Sequence, residues 1–206
     1  MNVYVETNFV FELVYEQEQH ESCKYILDLA ETGQIQLFLP AYCLAEPNEK
    51  MVRQTKSRKA LQEKLNLELQ QLARTATYKP KMKDIHILGD FLIDRGEWEY
   101  QQFQKVRERL LNFAIIIPLD RKLLELAAQH EADEDYEFSP QDAIVFASVL
   151  SHIQQNSCGN KLFLNKNIKD FDSPAVKKVL SGLGCKFIPD FDKAVSYIKS
   201  MLKNEI

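Results

Sequence analysis

Cysteine and histidine are sparse in this chain, and neither is arranged to do chemistry. The four cysteines (Cys23, Cys43, Cys158, Cys185) form no C-x-x-C, and the four histidines (His20, His86, His130, His152) show no ligand spacing. This excludes a zinc site or a disulfide framework and makes buried free thiols in a reducing compartment the expectation. The histidines are expected to be surface or satisfied side chains. No apolar run approaches the roughly 18 residues of a membrane span, and no basic-then-apolar leader precedes the first apolar run. A soluble, cytoplasmic protein is expected. Internal repeats and low-complexity segments are missing too, and tryptophan occurs once, at Trp98.

What is present is enough for a real core. A hydrophobic fraction of 45% over 206 residues fits one domain, with room for an insertion. The charge is unevenly spread. Residues 50–83 hold ten Lys/Arg against two acids, a net +8, so the remainder carries −12 of the total −4.

The organising stretch is Val3-Tyr4-Val5-Glu6-Thr7-Asn8-Phe9-Val10. Its β-branched and aromatic start reads as a buried strand. The apolar pattern then resumes at helical spacing through Phe9, Val10, Leu13 and Val14, with Thr7 or Asn8 as the cap. A second helix is expected over Ser22–Thr32, ended by Gly33. Ile35–Leu39 reads as a strand stopped by Pro40, and Ala41–Ala45 begins a helix that carries Glu46. This strand–helix–strand grammar predicts an α/β fold with a mostly parallel central sheet flanked by helices.

From about Glu49 to Phe113 the pattern is helical, and we read it as an inserted helical hairpin within a single domain of residues 1–206. Leu61, Leu65, Leu67, Leu69 and Leu72 predict one long amphipathic helix, broken at Tyr78-Lys79-Pro80. A second helix is expected from about Lys83 to Asn112, interrupted near Asp94-Arg95-Gly96. The α/β pattern returns with a strand at Ala114–Leu119 and a helix capped by Asp120 that runs to about His130. An acidic loop follows at Glu131–Asp135. Ser139-Pro140-Gln141-Asp142 opens a helix whose continuation, Ala143–Leu150, is apolar nearly all round and must be buried. Lys161–Leu164 is a strand left by the loop Asn165–Phe171. Ser173-Pro174 starts another helix, and Cys185–Ile188 is a last strand before a C-terminal helix.

Several acids fall after strands or in first helical turns: Glu6, Glu46, Asp142, Asp170 and Asp172. Strand C-termini and the helix N-termini after them share one edge of a parallel sheet, so the chain delivers these carboxylates to one place. Such neighbours raise one another's pKa, and a hard cation such as Mg²⁺ or Mn²⁺ relieves the repulsion. That ion can activate water against a phosphodiester, with Thr7 or Asn8 holding a carboxylate or a water. Plainer roles stand beside this one. Glu6 and Asp142 complement helix dipoles, Glu46 is a surface acid, and Asp170 and Asp172 are solvated loop acids.

Glu6-Thr7-Asn8 after a strand, Glu46 early in a helix, Asp142-Ala143-Ile144 opening a buried helix, and Asn165-Lys166-Asn167-Ile168-Lys169-Asp170-Phe171 after a late strand together resemble the PIN-domain nucleases. The resemblance covers residues 1–48 and about 114–190. It implies a Mg²⁺/Mn²⁺ site and metal-dependent endoribonuclease activity. Glu6, Glu46, Asp142 and Asp170 would be catalytic, Glu6, Glu46, Asp142 and Asn167 the metal ligands, and Thr7, Asn8 and Asn165 their supports. Many small members are toxins of bacterial toxin–antitoxin pairs, which implies an antitoxin-type protein partner and a homodimer. Two positions depart from the family pattern: Glu6 stands where Asp is usual, and Asn167 where the fourth acid is common.

The basic segment is the second functional clue. Arg53, Lys56, Arg58 and Lys59 are candidate RNA contacts along a phosphate backbone, against the plain reading of a solvated helix face. A module that binds RNA or a partner without cutting, and a pure interaction protein, are the competing classes.

Overall fold

The structure, a computed structural model, describes residues 1–75, 82–156 and 159–203, with the side chains of 82–88 and 90 outside the description. Cys158, Lys79, Lys81 and the Tyr78-Lys79-Pro80 break lie outside the described residues, as do the side chains of Lys83 and His86. In chain order the elements are β1 (Asn2–Val5), α1 (Thr7–Tyr15), α2 (His20–Glu31), β2 (Gln36–Pro40), α3 (Tyr42–Leu72), α4 (Met82–Phe113), β3 (Ala114–Ile117), α5 (Arg121–Ala132), α6 (Pro140–Gln155), β4 (Lys161–Leu164), α7 (Ile168–Phe171), α8 (Pro174–Gly182), β5 (Cys185–Ile188) and α9 (Phe191–Lys203). Two compact units result: residues 1–46 with 106–206, and residues 47–105.

In the first unit every strand is parallel to its neighbours, in the order β3-β2-β1-β4-β5. The α/β sheet flanked by helices is therefore as the sequence predicts. Its register places Phe38, Tyr4, Phe163 and Phe187 side by side on one face. Tyr4 stacks on Phe38 at 4.9 Å, and its hydroxyl hydrogen-bonds to Nδ1 of His152 on α6 at 3.1 Å. The helix α6 accordingly covers this face, and the continuous burial of Val145–Leu150 follows from its place between α5 and the sheet. Val3, Val5, Leu37, Leu39, Leu162 and Leu164 alternate to the other face. There α2 packs on β2 and α9 on β5, the side that right-handed crossovers assign to the β1-to-β2 connection.

Strand order reverses between β1 and β4: the chain leaves β1 toward β2, then returns from β3 to β4 on β1's other side. This is the topological switch point, where open α/β sheets bind ligands beyond their strand C-termini. Val5 pairs with Leu164 there, so Glu6 and Asn165 emerge from adjacent strands.

Local details differ from expectation where tertiary contacts override short-range signals. The α1 cap is Glu6 itself, whose carboxylate accepts from the Asn8 backbone N–H at 2.9 Å, rather than Thr7 or Asn8. Thr32 is the C-cap of α2, and Gly33 follows with the positive φ (71°) of the turn into β2. Pro40 ends β2 within the ladder rather than stopping it beforehand. Part of the expected 165–171 loop is the single helical turn α7. Cys23, Cys43 and Cys185 are buried free thiols. His130 is not a satisfied side chain: its Nε2 is buried with no hydrogen-bond partner, and it packs among Tyr136 and Phe146. Glu131–Asp135 are exposed, as a solvated acidic run should be.

In the second unit α3 and α4 run antiparallel. As α3 advances from Thr55 and Arg58 to Gln62, its contacts on α4 retreat from Glu99 and Gly96 to Gly89. The expected interruption near Asp94-Arg95-Gly96 is absent, and α4 passes through it unbroken. Glycine costs a helix about 1 kcal/mol relative to alanine, but at Gly96 it lets Arg58 Nη1 lie 3.2 Å from where a Cβ would stand. The glycine serves helix packing, not chain reversal. The helix α3 likewise runs through Pro47, and it ends at Leu72, before the expected break.

Candidate active site

At the switch point a cavity of about 270 Å³ is lined by Glu6, Thr7, Asn8, Phe11, Glu46, Ser139, Gln141, Asp142, Val145, Asn165 and Asn167. Four elements supply it, and each delivers its side chain for a local reason. Glu6 follows β1 and caps α1. Glu46 sits in the second turn of α3, directly after β2. Asp142 lies in the first turn of α6, where Ser139 is N-cap and Pro140 opens the helix. Asn165 and Asn167 leave β4.

Each carboxylate is turned to a protein donor. The Thr7 hydroxyl donates to Glu46 Oε2 at 2.5 Å. The Ser139 hydroxyl donates to Asp142 Oδ2 at 2.5 Å and accepts the Asp142 backbone N–H at 3.2 Å. Asn167 Nδ2 donates both to Asp142 Oδ1 at 3.2 Å and to Asp170 Oδ2 at 2.6 Å. Asp170 itself does not line the cavity and reaches it through Asn167. Asp172 is engaged elsewhere, with Lys177 at 2.7 Å.

Two buried atoms at this site lack any partner: Glu6 Oε1 and Asn165 Nδ2. Burial pushes the Glu6 carboxyl up to about 8; the hydrogen bonds from Asn8 oppose that rise, while the charges of Glu46 and Asp142 add to it. Among the described residues, no group of three or more His, Cys, Asp or Glu side chains stands at metal-holding spacing. The donor set nevertheless suits a hard divalent cation, because it is all oxygen and includes one buried carboxylate oxygen that nothing satisfies.

A family model described as PIN domain matches residues 3–171. The chain belongs to the PIN-domain family. No curated protein and no solved structure matches it. PIN domains are usually nucleases and typically use divalent metal ions, so a nuclease-type fold is what membership establishes. The match runs through the helical middle as well as the sheet-bearing parts, and it stops at Phe171, before β5.

The structure thus brings Glu6, Glu46, Asp142 and Asn167 to this PIN domain's switch-point cavity, with Thr7, Asn8 and Asn165 beside them. Sequence reasoning treats Ser139 only as a helix cap and does not single out Gln141, Phe11 or Val145 as site residues. Ser139-x-x-Asp142 is a usable signal, since a hydroxyl cap and an N3 acid face each other. The candidate RNA contacts belong to the other compact unit. Arg53 is exposed and pairs with Glu49 at 3.4 Å, while Lys56 and Lys59 are exposed. Arg58 is half-buried and grips Glu99 with two nitrogens, at 2.7 and 3.2 Å. Among the described residues no helix is long and apolar enough to cross a membrane.

Proposed function

We propose that this PIN domain is a Mg²⁺- or Mn²⁺-dependent endoribonuclease. The single observation that carries the reading is Glu6 Oε1, a buried carboxylate oxygen with no partner, in a cavity also lined by Glu46 and Asp142. Ionising a buried acid beside two other carboxylates is costly unless a cation accompanies it. Glu6, Glu46 and Asp142 line the cavity but do not stand at metal-holding spacing, so they would have to close on that ion to hold it. When bound, it would activate a water and neutralise charge on the phosphate.

The chain's own groups have distinct tasks in this reading. Thr7 fixes the rotamer of Glu46, and Ser139 and Asn167 fix Asp142 from opposite oxygens. Asp170 acts as a positioning residue by holding the Asn167 amide. Phe11 and Val145 limit water at the cavity wall. Glu6 is one methylene longer than the usual aspartate, and it keeps one oxygen on the Asn8 N–H, which leaves the other to reach inward. Arg53, Lys56 and Lys59 would offer counter-charge to RNA phosphates. An antitoxin-type protein partner and a homodimer belong to the same proposal.

The test is cleavage of single-stranded RNA with added Mn²⁺ or Mg²⁺, by wild type and by Asp142→Asn. Loss of cleavage on the order of 100-fold or more in the variant is expected. Equal cleavage by both proteins, or by neither, defeats the proposal. Salt-sensitive RNA binding with no cleavage and no metal uptake would instead favour a module that binds without cutting, to which the neutral Asn167 is suited.

A further inference from the structure

Glu12 lies on α1 beyond Glu6 and is 0% exposed. It is not among the residues lining the acidic cavity. Its Oε1 receives Lys166 Nζ at 2.5 Å, and its Oε2 receives the Gln19 backbone N–H at 2.8 Å. A second acid, Glu18, stands 3.8 Å from the same ammonium at the surface.

Lys166 is the residue between Asn165 and Asn167. Around it the loop is closed by short-range bonds: Asn165 Oδ1 accepts the Asn167 N–H at 2.8 Å, and the Lys166 carbonyl accepts the Ile168 N–H at 2.8 Å. The two asparagines face the cavity, and Asn167 holds Asp142 and Asp170. Lys166 thus ties to α1 the same three residues whose flanking members reach the acids. A carboxylate this deeply buried is not a cheap source of stability, since an apolar pair of similar volume is often as stable or more so. What the ion pair adds over an apolar pair is direction.

We propose that Glu12 and Lys166 form a positioning clamp that fixes the Asn165–Asn167 loop against α1 and so sets Asn167 on Asp142. The clamp stands on the geometry alone; what its precision is worth to the ion and to RNA cleavage rests on the nuclease reading above.

The test is the double variant Glu12→Gln/Lys166→Met, which removes both charges and leaves neither one buried alone, with Lys166→Arg as the conservative control. Hydrogen exchange is measured at the Asn167 and Ile168 amides and in β1 and β4, and Mn²⁺ binding by calorimetry. The clamp predicts faster exchange in the loop by several-fold, with the strands unchanged. It also predicts an Mn²⁺ dissociation constant raised about tenfold or more. In RNA cleavage kcat falls while KM holds, and Lys166→Arg returns most of each effect. Unchanged loop exchange overturns the clamp. Faster loop exchange in a protein whose wild type binds no Mn²⁺ supports the clamp and overturns the ion reading instead.

Discussion

Glu6 carries the sharpest consequence at the scale of one residue. Its carboxyl is pushed up by burial from the ordinary value of 4.5, which the unfolded chain keeps, to about 8 in the folded protein. Between those values the folded state keeps a proton that the unfolded state has lost. The contribution to stability therefore grows as pH falls from about 8 toward 4.5 and is lost as pH rises. Metal-free wild type should melt higher at pH 5.5 than at pH 8.5 through this group. Glu6→Gln should flatten that dependence and stabilise the metal-free protein at pH 8.5 by a few kcal/mol, on the order that a shift of several pKa units implies. Thermal melts of both proteins with chelator at the two pH values decide it; a variant no more stable at pH 8.5 contradicts the burial argument.

At the scale of elements, the antiparallel pair in the second unit is organised around Glu99. Its side chain is 7% exposed and receives Arg58 at 2.7 Å and Arg95 at 3.2 Å. Removing one partner of a buried pair leaves a charge uncompensated, which typically costs about 3–5 kcal/mol. Because Arg95 stays in place, Arg58→Ala should cost less, about 1–3 kcal/mol. Urea unfolding measures this, and a change within about 0.5 kcal/mol, as for an ordinary surface substitution, would show that Arg58 is not a structural residue. The same contact explains why the expected break near Gly96 is absent. A glycine read from local sequence signals a turn, whereas here the missing side chain makes room for an arginine 38 positions earlier in the chain.

For the whole molecule, charge separation is the feature to test. The net charge of −4 conceals a +8 segment, and opposite-signed regions of this kind govern association with polyanions more than they govern the fold. Lys56→Glu/Lys59→Glu should weaken binding to single-stranded RNA. It should also lower the slope of log affinity against log salt by about 0.7 for each phosphate that is no longer neutralised. Fluorescence anisotropy across a salt series checks this; an unchanged slope would place the RNA-binding surface elsewhere.

The α/β class, the strand positions, the buried helix after Asp142 and the identity of the acids at strand ends were all legible in the chain. They depend on periodicity, capping and turn chemistry, which act over a few residues. Tertiary structure alone decided which distant donors those acids meet. Thr7 on Glu46, Asn167 on Asp142, and above all Lys166 on Glu12, 154 positions away, join residues that no local pattern relates. The strand order created those meetings, because β1 lies between β2 and β4 and so sets the ends of strands far apart in the chain side by side.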